Sequence, residues 1–470
     1  MKLITIFLIQ ISCIFFSNLS YGQVELWGMT YEGGVNNSGV IFKINSDGTN
    51  YNLTHSFSIS DGINPMGSLI HATDGNFYGL TNSGGPNNLG VMFRYDPNNN
   101  NYNTILNFDS TNGGRPHGSL IQRVSGALYG YTTGNGSNGR IFGYHLPWLY
   151  FNMHHFDSLT GYLAYGNIHE NFFMYGLTSS GGIYGKGVFF KLNSYNGLYT
   201  VILNFDGING ANPQNGFMSC SDGKLYATTM NGGNFGYGTI MRYNPAINLI
   251  ETLYSFISPV SGVHPACNLV EANNGLLYGM ADGGINNDGI IFSLDTMSGT
   301  VTKVFDFSSS TSGESPKGSL INASDGKLYG MTFSGGMNGL GVIFKFDPSN
   351  NTYVKLLDFD SINGAKPLGD LIEYIAPTGV NSFSQNENSI AISPNPTSGQ
   401  FKITGNGITD KTLQLRLTDI LGRVIYVTEI PVINGCFEKS LSVEKVLAGI
   451  YFMNVYSGNW MQSFKIEVRN

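Results

Sequence analysis

Charge is scarce in this chain of 470 residues: only 12% of its residues are Asp, Glu, Lys or Arg, about half the usual share, and the net charge is −7. No basic stripe accompanies that balance, which argues against a grip on nucleic acid phosphates or on anionic membranes. Cysteine is equally sparse. Of four, Cys13 falls in the N-terminal run, which leaves Cys220, Cys267 and Cys436, an odd and widely spaced set. Stapled scaffolds are short and cysteine-dense, so no disulfide framework is expected; a Cys220–Cys267 bridge is the one pairing left open, against three buried small apolar side chains. Long hydrophobic runs are confined to the first residues. Beyond them no segment reaches the length of a membrane span.

Lys2, a largely apolar run from Leu3 to Phe16 and the small-residue pattern Ser20-Tyr21-Gly22 have the layout of a secretory leader, with cleavage expected before Gln23. The mature chain is expected to be exported, with no transmembrane segment.

What is abundant is glycine, 63 residues, together with 13% aromatics. Self-similarity organises both. An aromatic residue followed by Gly or Ala recurs at Trp27, Tyr78, Tyr129, Tyr175, Tyr226, Tyr278 and Tyr329, with spacings of 51, 51, 46, 51, 52 and 51. Each copy is followed by two glycines five residues apart, from Gly34 and Gly39 to Gly336 and Gly341. In the last copy LYGMT reads as one short strand, GVIFKFD as the next and YVKLLDFD as a third, while the GSLI run at 318–321 precedes them as a first strand. VIFKF is apolar on both faces, which suits a sheet packed between two others. The loop glycines then supply positive φ in a hairpin. The phosphate-loop alternative fails because a strand, not a helix, follows the loop, and no Lys-Ser/Thr ends it.

Seven units of about 50 residues with four strands each predict an all-β fold, a seven-bladed β-propeller over 23–373. The array starts on the second strand of a unit and ends on a lone first strand, Pro367 to Ile372. Pairing that strand with the first unit would close the ring. The unit from about 131 to 175 is irregular: it is five residues short and lacks the proline that opens the first strand elsewhere, at Pro65, Pro116, Pro213, Pro265, Pro316 and Pro367.

The repeated Gly-x-Leu-Tyr-Gly-x-Thr, Gly-Gly-x-Asn-x-x-Gly and Val-Ile-Phe-Lys motifs resemble the bacterial tandem repeats called Gloeo-Verruco repeats, over roughly residues 25–373. The resemblance implies no particular activity.

Residues 374–389 are polar and rich in Pro, Gly, Ser and Asn, a linker by composition. About seven short alternating segments follow in 390–470 and predict a small C-terminal β-sandwich. Ser393-Pro394-Asn395-Pro396 with Gly399, Asp419 with Gly422-Arg423, and Gly449-Ile450-Tyr451 resemble the type A sorting domain of the type IX secretion system of Bacteroidota. That resemblance implies a removable address recognised by the secretion machinery, passage through the periplasm, and release or attachment at the outer cell surface. An appended adhesive domain is the alternative.

Candidate site residues are few. Three positions after each leading proline stand Ser68, Ser119, Gly216, Asn268, Ser319 and Asp370, small and mostly polar residues expected to ring the central channel as lining or as ligand contacts. His145, His154, His155 and His169 cluster in the irregular unit beside Asp157 and Glu170, but adjacent His154 and His155 on a strand point to opposite faces. The Asn/Asp-Gly turns at 61–62, 112–113, 209–210 and 363–364 offer oxygens to calcium or sugar hydroxyls, or close Asx turns. No nucleophile elbow, zinc-protease helix or cofactor motif is present, and no cofactor or metal is expected. The sequence reads as a secreted or surface propeller binding or structural module for glycan or protein. The alternative is a propeller enzyme acting on extracellular polysaccharide.

Overall fold

A computed structural model of the protein describes residues 24–374 and 389–469, apart from short stretches at 124–125, 135–138, 146–148, 165–168, 171–172, 194–196, 407, 409–410, 420–422, 434, 443–445, 447 and 457–460. The expected leader and nearly all of the linker lie outside the described residues.

Seven four-stranded antiparallel sheets occupy residues 25–374. Alternate residues of each third strand face opposite ways, and this decides how the sheets pack. In Val342–Asp347, Val342 and Phe344 join the core shared with the sixth sheet, while Ile343 joins the core shared with the first. The same holds around the molecule: seven apolar clusters, each drawn from two neighbouring sheets, link first to second, on to the seventh, and seventh back to first. The ring is therefore closed, as expected. The closing strand is Ile372–Tyr374, whose Ile372, Glu373 and Tyr374 pair with Trp27, Leu26 and Glu25.

The motif glycines pack against rings. Gly28, Gly79, Gly130, Gly176, Gly279 and Gly330 each lie opposite a phenylalanine of the third strand, and a β-carbon at Gly330 would fall 2.7 Å from Phe344 Cζ. In the fifth sheet the pair is Ala227 and Met241. The paired-glycine loop is held from both sides. Gly336 donates to the Ser309 carbonyl at 2.6 Å, and Asn338 Nδ2 donates to the Phe359 carbonyl at 2.8 Å. Gly335 and Gly336 have φ of 77° and 78°, so backbone geometry accounts for the glycines in this loop.

One element differs from expectation. The GSLI segments are not full first strands: the seventh sheet pairs only Ile321–Asn322 there, and Pro116–Gln122 alone extends along the whole segment. At the axis these segments bond to their neighbours around the ring instead of to their own sheet. The C-terminal module is two sheets, three-stranded and four-stranded, sharing one core that includes Phe401, Ile403, Leu415, Leu417, Met453 and Ile466.

Candidate functional site

The axial segments start from a strained but heavily tied residue. Asn64, Arg115, Asn212, His264, Ser315 and Lys366, each just before a leading proline, have φ between 50° and 57°, and so does Leu163 ahead of Ala164 in the irregular unit. Non-glycine residues hold that conformation only when surroundings enforce it. Here they do: Lys366 donates its N–H to the Leu340 carbonyl at 2.9 Å and accepts from Tyr31 N–H at 3.3 Å, stitching the seventh sheet to the first.

Two residues past the proline, backbones converge. A β-carbon at Gly67 would sit 2.0 Å from the Gly118 carbonyl oxygen, and one at Gly369 would sit 2.3 Å from that of Gly67. One residue further, the expected ring appears, but its side chains point around the circle. Ser68 N–H donates to Ser119 Oγ (2.7 Å), Gly216 N–H to Asn268 Oδ1 (3.0 Å), Asn268 N–H to Ser319 Oγ (2.9 Å), Ser319 N–H to Asp370 Oδ1 (2.5 Å) and Asp370 N–H to Ser68 Oγ (2.7 Å). Each polar side chain caps the N–H of the preceding copy, and the Asp370–Ser68 bond joins the last segment to an early one. The ring residues thus satisfy buried backbone donors first.

Ser68, Ser119, Asn268, Ser319 and Asp370 also line a cavity of about 530 Å³ on the axis. Its walls include Met66, His117, Gln214, Ala266, Lys317 and Leu368, the residues directly after each leading proline. There the copies diverge, Met66, Ala266 and Leu368 being apolar and His117, Gln214 and Lys317 polar, whereas the scaffold around them repeats. Asn215, at a position filled by glycine in four other copies and by Cys267 in a fifth, adds a side-chain Nδ2 that is buried without a hydrogen-bond partner. Lys317 Nζ is paired with Asp282 at 3.1 Å. Asp370 is the one carboxylate among the lining residues. Desolvation raises its pKa above the ordinary carboxylate value, against the lowering effect of hydrogen bonds from the Ser319 backbone and the Ser319 and Ser68 hydroxyls. The residues after the prolines were not singled out from the sequence, although divergence among otherwise constant copies was the available signal.

Among the described side chains, the histidines of the irregular unit do not converge. His154 lies opposite Ile141 in a position that His55, Leu203, Tyr254, Phe305 and Leu357 fill in other sheets, and it stacks on Tyr199 at 3.8 Å, as His55 stacks on Tyr102 at 4.1 Å. Burial against these rings pushes the His154 pKa down to about 4. His145 stacks on Phe452 of the C-terminal module at 4.0 Å. The side chains of His169 and Glu170 lie outside the described residues. The Asp-Gly and Asn-Gly turns are closed by their own oxygens: Asp206 Oδ1 accepts from the N–H groups of Ile208 (2.8 Å) and Asn209 (3.0 Å), and Asp360 Oδ1 from that of Asn363 (2.8 Å). Among the described residues no three His, Cys, Asp or Glu side chains are grouped to hold a metal. Cys220 and Cys267 are free and buried, without the bridge that the sequence left open, and Cys267 Sγ donates to the Met280 carbonyl at 3.0 Å; Cys436 is free but exposed, not buried as expected.

In the C-terminal module the motif residues close turns and edges. Asn395 bridges to the terminal strand, donating Nδ2 to Lys465 O (2.6 Å) and accepting Glu467 N–H at Oδ1 (2.9 Å). Pro394 and Pro396 flank it in the exposed turn before Gln400–Asn406, and Gly399 in the same turn takes φ of 106°. Arg423 returns its Nε–H to Asp419 Oδ2 (2.5 Å) and its backbone N–H to Asp419 Oδ1 (2.9 Å). Gly449 opens the strand that buries Tyr451, and Gly422 lies outside the described residues.

Sheets, closure and terminal module define an all-β propeller followed by a second, smaller β module. Residues 17–172 and 167–383 match the Gloeobacter/Verrucomicrobia repeat, and residues 391–469 match the secretion system C-terminal sorting domain. The chain belongs to the Gloeobacter/Verrucomicrobia repeat family. Its sorting domain is that of proteins exported by the type IX system to the cell surface or the extracellular space. No helix among the described residues is long and apolar enough to cross a membrane. Among curated proteins nothing matches. Solved structures that resemble it include TolB from Acinetobacter baumannii (11% identity, TM-score 0.39, covering 60% of this chain and 63% of that one) and oligogalacturonate lyase from Vibrio parahaemolyticus (10% identity, TM-score 0.45, covering 74% and 90%). A puromycin-hydrolyzing peptidase from Mycobacterium tuberculosis has 8% identity and a TM-score of 0.48, covering 82% of this chain and 59% of that one. The chain thus spans less than two thirds of the TolB and peptidase chains it resembles.

Proposed function

We propose that the protein is an extracellular binding module that receives its partner on the face bearing the paired-glycine loops and the Asp/Asn-Gly turns, with the axial cavity at its centre. The observation that carries this reading is the divergence at Met66, His117, Gln214, Ala266, Lys317 and Leu368, on a scaffold whose other contacts repeat. A purely structural ring would have no use for an imidazole, an amide and an ammonium beside three apolar side chains at equivalent positions.

The same face favours a protein or peptide over a glycan. Loop tips present Val35, Ile183, Ile285 and Met337, and the turns bonded to these loops present Ile208 and Ile362, each at least 71% exposed. Aliphatic tips of this kind suit a protein surface, as do the exposed Tyr184 and Phe235 that stand among them. Hydrolytic chemistry on polysaccharide asks for two carboxylates in reach of one bond, whereas the lining supplies one among the described residues. In this reading residues 1–22 are a cleaved leader, 374–389 a linker and 390–470 the export address.

The test sets peptide and glycan arrays side by side with the exported protein and with Ile208→Asp/Ile362→Asp. Peptide binding that the double variant loses is the expected outcome. Glycan binding that it retains would overturn the reading.

A further inference from the structure

Four of the five capping side chains on the axis are neutral. Ser119, Asn268, Ser319 and Ser68 each cap a neighbouring backbone N–H with a hydroxyl or amide oxygen, at 2.7 to 3.0 Å. Asp370 performs the same task for Ser319 with a carboxylate. Capping therefore does not require a charge, and a charge on a desolvated wall is unfavourable unless something compensates it. Among the described lining residues no lysine or arginine does so. The one lysine in the lining, Lys317, has its ammonium on Asp282, and no ion pair to Asp370 is formed among the described residues.

The surroundings say what kind of cation would fit. A metal ion would want several anionic or otherwise free oxygens, but Ser68 and Ser319 already hydrogen-bond the Asp370 side chain, and among the described residues no second carboxylate lines the space. The same cavity is lined by Met66, Ala266 and Leu368, which accept an aliphatic stem, and by Gln214 with the unpartnered Asn215 amide, which donate to a carbonyl or hydroxyl. A volume of about 530 Å³ admits a group of side-chain size or somewhat larger.

Resting on the binding reading above, we infer that the axial cavity takes a primary ammonium group on a short aliphatic stem, with Asp370 as its counter-charge and Asn215 and Gln214 as donors to the rest of the ligand. Such a group arrives either as a lysine side chain or amino terminus of a partner peptide, or as a free amine.

The experiment uses the full chain and its Asp370→Asn variant, which keeps an oxygen for Ser319 N–H and removes only the charge. Binding is measured by titration calorimetry with n-butylamine, with a lysine-containing peptide amide, with its acetylated-lysine form, and with n-butanol and calcium chloride as controls. Amine binding about ten- to hundred-fold weaker in Asp370→Asn than in the wild type, with n-butanol and the acetylated peptide weak in both, is the expected result. The peptide binding far more tightly than butylamine identifies a partner chain as the source; equal affinity identifies a free amine. Equal amine affinity in wild type and variant, calcium binding in place of amine binding, or no amine binding to the folded wild type would each overturn the inference. If the Ile208/Ile362 variant still abolishes peptide binding while Asp370→Asn leaves it intact, the binding face stands and only the ammonium site falls.

Discussion

Gly330→Ala would add a β-carbon 2.7 Å from Phe344 Cζ and 2.8 Å from Leu320 Cδ2, distances at which real atoms do not rest. Both neighbours are buried, Phe344 at 0% exposure and Leu320 at 3%, so neither can step aside into solvent. Overpacking of this kind costs about 1–3 kcal/mol, and the more restricted unfolded chain of alanine returns only about 0.4–1 kcal/mol. The fifth sheet shows the remedy already in place: Ala227 is tolerated opposite Met241, whose flexible thioether occupies the position of the phenylalanine ring. Phe344→Met alone loses ring contacts with Phe307 and Tyr353 and is expected to cost about 1 kcal/mol. The double variant should then be more stable than the sum of the single effects by about 1–2 kcal/mol. Calorimetry of the four proteins reads this as a shift of a few degrees in the propeller transition. A neutral Gly330→Ala, or strict additivity in the cycle, would refute the claim that the ring dictates the glycine.

Removing residues 390–470 should leave the protein in the periplasm, checked by fractionation; normal appearance outside the cell would remove the sorting role. Asp370→Asn should leave stability unchanged at low pH and make the protein relatively more stable as pH rises. The raised carboxyl pKa means that the wild type loses stability from the ordinary carboxylate range, near ~4, upward through the folded value, and thermal denaturation against pH reads the difference. A gap that narrows with rising pH would contradict the desolvation account. Asn338→Ala frees the Phe359 carbonyl from its 2.8 Å partner and should cost about 1–2 kcal/mol, visible in the same melts. Asp370→Ala, which strands Ser319 N–H, should be less stable than Asp370→Asn by about 1–3 kcal/mol.

Local chemistry made much of the fold legible. Glycine and aromatic spacing counted seven units because each unit repeats the same turn and the same packing, and these leave fixed marks on a sequence. The odd phase of the array, ending on Leu371 and Ile372 without a unit of their own, was enough to expect closure through pairing with Trp27. The Asn395 and Asp419 motifs named the terminal module, because turn closure there depends on particular side chains.

Tertiary structure alone decided what the axis does. Ser68, Ser119, Asn268, Ser319 and Asp370 could be placed near the channel by their distance from a proline, but their hydrogen bonds run between segments some 50 residues apart, and one joins Ser68 to Asp370. Register across the ring is a property of closure, which no single repeat contains. The same reason hid the bulge between Ile343 and Phe344, which recurs in all seven sheets, and the role of His154 as one more packed ring in a position shared with Phe305 and Leu357. Short-range geometry is written into each copy of this sequence; what the copies make together at the axis depends on seven of them meeting, and only the folded ring brings Asp370, Gln214 and Lys317 around one space.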